Sequence, residues 1–375
     1  MLQNKIYRNF FIEIIKTFFV ILFGLSLIAL TVRSVSFLDL IVENGYPVNT
    51  YFKYSLLNLF GIAPKFIPLS FLISLSIFII KHIQDSEFVI LWTSGVQKIR
   101  IINLFFMISV FISIFYLILS TVLTPIALNK SRKLLSQEQF NSFLPTVKTQ
   151  QFSDSFKGFT FLVEKKINNE LKNIFLHDKG SNLKGLSSNE KKSTSTTIIA
   201  SSGIVEKRKM FLFNGQIISS KNESDENEII KFDQLNIDLS NLTTTTIKKP
   251  KLQETSTMKL INCIVKNDNR NEICKDDVKK EILPTLNRRI VLPLYIPVLS
   301  LVCSLMLIKT KSKFLNKISI FIYSFLLLIV TEMTVRYTGI NYPTRVLFII
   351  SPFFLFTLIY TYMYLKFSNE SKIYE

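Results

Sequence analysis

The chain has 375 residues, 48% of them apolar, and a formal net charge of +18. The apolar residues gather towards the two ends while the middle is polar, which excludes a single soluble globule and points to a membrane protein with an inserted water-exposed domain. The basic excess is scattered, with no aromatic-interleaved groove, so nucleic acid is excluded as a partner. The cysteines Cys263, Cys274 and Cys303 and the histidines His82 and His177 show no zinc-ligand spacing.

A membrane-crossing helix needs about 20 mainly apolar residues. In chain order the segments that qualify are Thr17–Val35, Leu57–Ile80 and Ile101–Ile126, then Ile290–Ile308, Ile318–Val335 and Val346–Leu365. The first is too long for the apolar core of a signal peptide, and Arg33-Ser-Val-Ser-Phe-Leu continues the helix where a cleavage site would fall, so it reads as an uncleaved anchor. The fold class implied is an α-helical membrane protein with six transmembrane helices (3 + 3) and an inserted all-β, jelly-roll-like domain. Residues 1–130 hold the first three helices, 131–283 the β domain and a linker, and 284–375 the last three helices with a short tail.

Between the second and third spans, the stretch from Lys81 to Arg100 predicts a short amphipathic helix over about 84–96. Ser86 or Asp85 is placed to cap it, and Glu87 lies in its first turn, where the helix dipole favours a carboxylate. Phe88, Leu91 and Trp92 share one face, and Gly95 can end the helix. Two readings stay open: a helix resting on lipid head groups, or a coupling helix seated in the cleft of a separate ATPase.

The polar middle carries strand-like runs at Gly158–Val163, Asn173–Leu176, Thr196–Glu206, Met210–Ser219 and Ile229–Leu239. Asn214-Gly215 and the polar stretch from Lys221 read as turns, and the Ser/Lys/Asn-rich segment Lys179–Thr197 as a mobile loop. Lys and Arg in the short flanks set the orientation. With the N-terminus in the cytoplasm, Lys5, Arg8, Lys16, Lys81, Lys98, Arg100, Lys309, Lys311, Lys313, Lys317, Lys366 and Lys372 lie inside. Only Arg33, Lys53, Arg336 and Arg345 fall in the outer short loops, so both termini are expected inside and the β domain outside. Cys263 and Cys274 then lie in an oxidising compartment and either form a disulfide or remain free thiols.

No phosphate-cradling G-x-x-x-x-G-K-[ST] occurs, and no Ser/His/Asp or Cys/His set is credible, so no enzyme and no cofactor are expected. Ionisable residues near the spans are costly in lipid and face cavities or partners. Arg33 lies about 25 Å along the helix from Lys16, at the outer interface. Lys65 sits between Pro64 and Pro68, Arg132 extends the third span outward, and Arg289 precedes the fourth. Arg336 lies one turn after Glu332 and can pair with it. These cations suit lipid phosphates, or simply snorkel to head groups.

Taken together, Ile6-Tyr7-Arg8, Phe37-Leu38-Asp39-Leu40, Pro64 to Pro68, Asp85-Ser86-Glu87 with Leu91 and Ser94-Gly95-Val96, and the 3 + 3 layout resemble the LptF/LptG permeases over the whole chain. Gly158-Phe-Thr-Phe-Leu-Val-Glu164 and Asn287-Arg288-Arg289 are more similar to the LptF branch. The polar tail after Ile261, with Cys263 and Cys274, departs from the pattern. The resemblance implies the transmembrane half of an ABC transporter in the bacterial inner (plasma) membrane. Its partners would be an LptG-type paralogue, a dimer of the LptB-type ATPase, and LptC and LptA-type periplasmic proteins. Its cargo would be lipopolysaccharide. It also implies an ATPase contact at Asp85, Ser86, Glu87, Leu91, Trp92 and Gly95, and a basic residue for lipid at Arg33. The alternatives are the LptG subunit, a permease for another lipid or for lipoprotein release, and a membrane-anchored sensor.

Overall fold

The computed structural model describes residues 5–38, 47–141, 149–156, 158–167, 170–179, 193–206, 209–221, 224–238, 251–265, 274, 276–308 and 313–372. The chain divides into two compact units. One comprises Met1–Val32, Leu57–Asn129 and Lys251–Glu375; the other comprises Arg33–Leu56 and Lys130–Pro250.

Six helical stretches among the described residues are long and apolar enough to cross a membrane: Lys5–Phe37, Val48–Gln84, Lys98–Leu135, Lys280–Leu307, Lys317–Tyr337 and Tyr342–Phe367. Five contain an expected span, the fourth stops at Leu307, one residue short of the expected Ile308, and each extends past the expectation at one end or both, because polar residues continue a helix past its apolar core.

The first span is α1, Lys5–Phe37. Its stripe Tyr7, Phe10, Ile14, Phe18, Leu22 and Ser26 is buried at helical spacing. Its other faces expose Phe19, Val20, Phe23 and Ile28, as apolar surface in a bilayer does. α2 is Val48–Gln84, with Pro64 and Pro68 inside it, and α3 is Glu87–Thr93. α4, Lys98–Ile118, passes through a π-turn at Leu119–Leu123 into α5, Thr124–Asn141.

After the β domain come α6, Thr257–Val265, and α7, Asp276–Ile290. A 3₁₀ turn at Leu292–Leu294 leads into α8, Tyr295–Ser304, so the fourth span is broken. α9, Lys313–Tyr337, and α10, Tyr342–Lys372, complete the chain.

Prolines explain the irregularities, and hydroxyls repair them. A proline inside a helix lacks an N–H and leaves the carbonyl four residues earlier without its partner. In hydrocarbon that carbonyl needs another donor. Pro64 frees the Phe60 carbonyl, which accepts from Thr124 at 2.7 Å. Pro125 frees that of Thr121, which accepts from Thr257 at 3.0 Å and lies in the π-turn. Pro293 and Pro297 free the carbonyls of Arg289 and Pro293, which accept from Ser120 at 3.2 Å and Ser113 at 2.9 Å. Pro352 frees that of Phe348, which accepts from Tyr295 at 2.8 Å. Every one of these donors sits on a different helix from the proline it serves.

The inserted domain is a six-stranded antiparallel sheet in sequence order: β1 Ser153–Phe156, β2 Phe159–Ile167, β3 Glu170–Asp178, β4 Ser193–Glu206, β5 Lys209–Lys221 and β6 Ser224–Asp238. The domain is all-β, and its described strands form a meander, simpler than the crossing connections of a jelly roll. Asn214-Gly215 is not a turn but the middle of β5, where Gly215 pairs with Ala200 of β4 and Phe232 of β6. Lys221 pairs with Ser224, so the stretch from Ser224 belongs to β6; residues 222–223 of the expected turn and 180–192 of the expected loop lie outside the described residues.

The registers place Glu164, Asn173, Ser201, Asn214 and Asp233 in one row across β2 to β6. Along the strands, inward positions step by three across this row, as from Leu171 to Ile174, instead of by two. Asn173 (φ 52) and Asn214 (φ 50) make the step in the left-handed region, where Asn costs less than most residues. The core of the sheet, including Phe161, Leu176, Ile198 and Leu212, lies on both sides of this polar seam.

Candidate functional site

The short helix α3 is built into the end of the helical unit. Phe88 is fully buried, and Leu91 and Trp92 pack against the same core. The Phe88 and Trp92 rings stack at 6.0 Å, and Lys98 Nζ lies 4.8 Å from the Trp92 ring centroid. The face expected to be apolar is therefore turned inward, and Glu87, Val89, Ile90 and Thr93 face outward. Gly95 ends the helix at φ +88. The Val96 amide donates to Leu91 O and the Gly95 amide to Trp92 O, the paired bonds of a Schellman stop. Ser86 occupies the N-cap position, but at φ 59 and with no side-chain bond, and Asp85 is exposed in the turn before it. Sequence reading expected a side-chain cap; the structure replaces it with a charged cluster.

That cluster was not foreseen. His82, 2% exposed, directs Nδ1 to the Phe78 carbonyl at 2.9 Å. Its Nε2 lies 3.2 Å from Glu87 Oε2 and 3.5 Å from Glu13 Oε2. Lys81 Nζ meets Glu13 Oε1 at 2.7 Å. Phe78, Phe10 and Phe88 surround the imidazole, with ring centroids at 4.0, 5.0 and 5.7 Å. The available signal was a histidine one turn before a carboxylate; the far partner, Glu13, lies on another helix.

The structure separates the expected phosphate-binding cations. Arg33 and Arg132 belong to the unit that holds the sheet, the first exposed and the second half-buried. Lys65 and Arg336 are exposed on the helical unit. Glu332 pairs with Arg288, not with Arg336 one turn away. Arg289 is 5% exposed and donates four hydrogen bonds: to the carbonyls of Thr255, Leu252 and Gln253 and to the Thr257 hydroxyl, at 2.9–3.2 Å. Its guanidinium fastens the chain entering α6 to the end of α7. A disulfide joins Cys263 on α6 to Cys274, Cα atoms 5.2 Å apart.

Among the described residues, six apolar helices with an antiparallel sheet inserted between the third and fourth define a multi-pass membrane protein with a β domain. Residues 8–366 match the model of the lipopolysaccharide export system permease LptF/LptG family, and the chain belongs to that family. The family is one of transporter subunits, not of catalytic enzymes. A comparison with curated proteins gives no match.

Proposed function

We propose that this chain is the LptF-type transmembrane subunit of an ABC transporter that extracts lipopolysaccharide from the inner membrane. It would pair with an LptG-type paralogue, be driven by two LptB-type ATPase copies outside this chain, and pass its cargo to LptC and LptA-type periplasmic proteins. The β domain would be periplasmic and both termini cytoplasmic. Family membership and the basic flanks of the spans support this reading. The run Gly158–Glu164 and Asn287-Arg288-Arg289 favour the LptF branch.

The observation that carries the mechanism is α3: a helix pinned by Phe88 and Trp92 and stopped at Gly95, with Glu87, Val89, Ile90 and Thr93 outward. A rigid ridge with one carboxylate and two aliphatic side chains suits the edge of an ATPase cleft. In this reading Leu91 and Trp92 hold the coupling helix and do not touch the ATPase. Arg33, Lys65, Arg132 and Arg336 are the cations we assign to lipid phosphate. Arg289 is set aside because its donors are engaged within the chain. Affinity purification of the tagged chain from membranes tests the assignment. The native chain should retain an ATPase subunit, and Glu87→Lys should lose it, or lose export, while still inserting. Normal export by Glu87→Lys would sink it.

A further inference from the structure

His82 stands at the junction of three helices. It belongs to α2, Glu87 opens α3, and Glu13 lies on α1. Both ring nitrogens face oxygen acceptors. The Phe78 carbonyl cannot donate, and two carboxylate oxygens lie at Nε2. Three phenylalanine rings pack around the imidazole. The charged groups recorded against the ring are Glu13 from α1 and Glu87 from α3, with Lys81 of α2 joined to Glu13.

We propose that His82, clamped between Glu13 and Glu87, is a positioning residue that ties the short helix α3 to the first membrane span. The clamp fixes the Glu87 carboxylate on its outward ridge. It also makes α1 follow α3: a push on α3 reaches α1 through Glu87, His82 and Glu13, beside the Phe10–Phe88 ring contact. α1 exposes an apolar flank over much of its length, on the side away from its buried stripe. This inference rests on α3 being the ATPase contact proposed above.

The test uses the complete complex in proteoliposomes, with the full chain as native, His82→Gln, Glu13→Gln and the double variant. Three quantities are read: ATPase subunits retained, ATP turnover, and lipopolysaccharide released per ATP. The single variants should retain the ATPase and hydrolyse ATP within about twofold of native, yet release roughly tenfold less lipid per ATP. The double variant should be no worse than the worse single, because both remove one connection. Lipid per ATP at the native level, losses that multiply in the double variant, or a loss confined to assembly would each overturn the clamp. If His82→Gln fails to insert, Glu13→Gln alone decides on the same ratio. A native complex that retains no ATPase would refute the coupling reading itself, a result distinct from a native complex that works beside variants that work equally well.

Discussion

Arg289 shows how far a residue's neighbours can redirect its role. By type and place it reads as a phosphate ligand, since a guanidinium near a membrane surface suits that work. Its four acceptors come from residues 252–257, a stretch whose return to α7 no periodicity announces. The same limit applies to His82, whose partner Glu13 is remote in sequence, and to Ser86, whose conformation leaves its hydroxyl out of the cap. Gly95 was legible because a single local property, freedom at positive φ, defines its task. The Arg289 assignment has a direct consequence. Arg289→Lys keeps the charge but cannot reach four acceptors, so it should lower stability by about 2–3 kcal/mol. Thermal unfolding of the purified protein in detergent measures this, with Arg33→Lys as the comparison expected to unfold like native.

At the scale of elements, the six apolar cores and five of the strands were readable, because hydropathy and alternation are local signals. What escaped were the places where one element repairs another. The break after α7 was invisible because the apolar run Ile290–Ile308 looks the same whether or not its backbone bonds are complete. The polar seam of the sheet was read at Asn214-Gly215 as a turn, for that pair has the local chemistry of one. Only the neighbours reveal the seam: a Cβ on Gly215 would lie 2.3 Å from Ile199 O, so the position is a close crossing of strands. The repair of the fourth span is testable by a double-mutant cycle. Ser120→Ala should cost about 1 kcal/mol in the native chain. In a Pro293→Ala background, where the restored amide can serve the Arg289 carbonyl, the same change should cost close to nothing. Equal costs in both backgrounds would show that Ser120 does something else.

At the scale of the whole molecule, the two units meet different physical demands. The helical unit must satisfy its own backbone in a solvent that offers no hydrogen bonds. The sheet needs only one covered face. The polar segment after Lys251 groups with the helices, fastened by Arg289 and by the disulfide across a separation of 11 residues. A cross-link of that length stabilises by about 2–3 kcal/mol in the chain-entropy account. Cys303 is buried beside Ser76 and Ser324 and remains a thiol. Maleimide labelling of the denatured, unreduced protein should therefore modify Cys303 alone, and reduction should add Cys263 and Cys274. Labelling of all of them before reduction would remove the disulfide from the account.

The proline and hydroxyl pairs also bear on how such a protein can change over generations. The bend of α8 is written partly in α4, the π-turn partly in α6, and the path of α10 partly in α8. None of the spans linked in this way is a self-contained module. A chimera that imports the third span without Ser113 and Ser120 inherits a fourth span whose open carbonyls face hydrocarbon. Substitutions in these helices are consequently tolerated in pairs, a proline with its distant hydroxyl, and the unit of inheritance is the contact and not the helix.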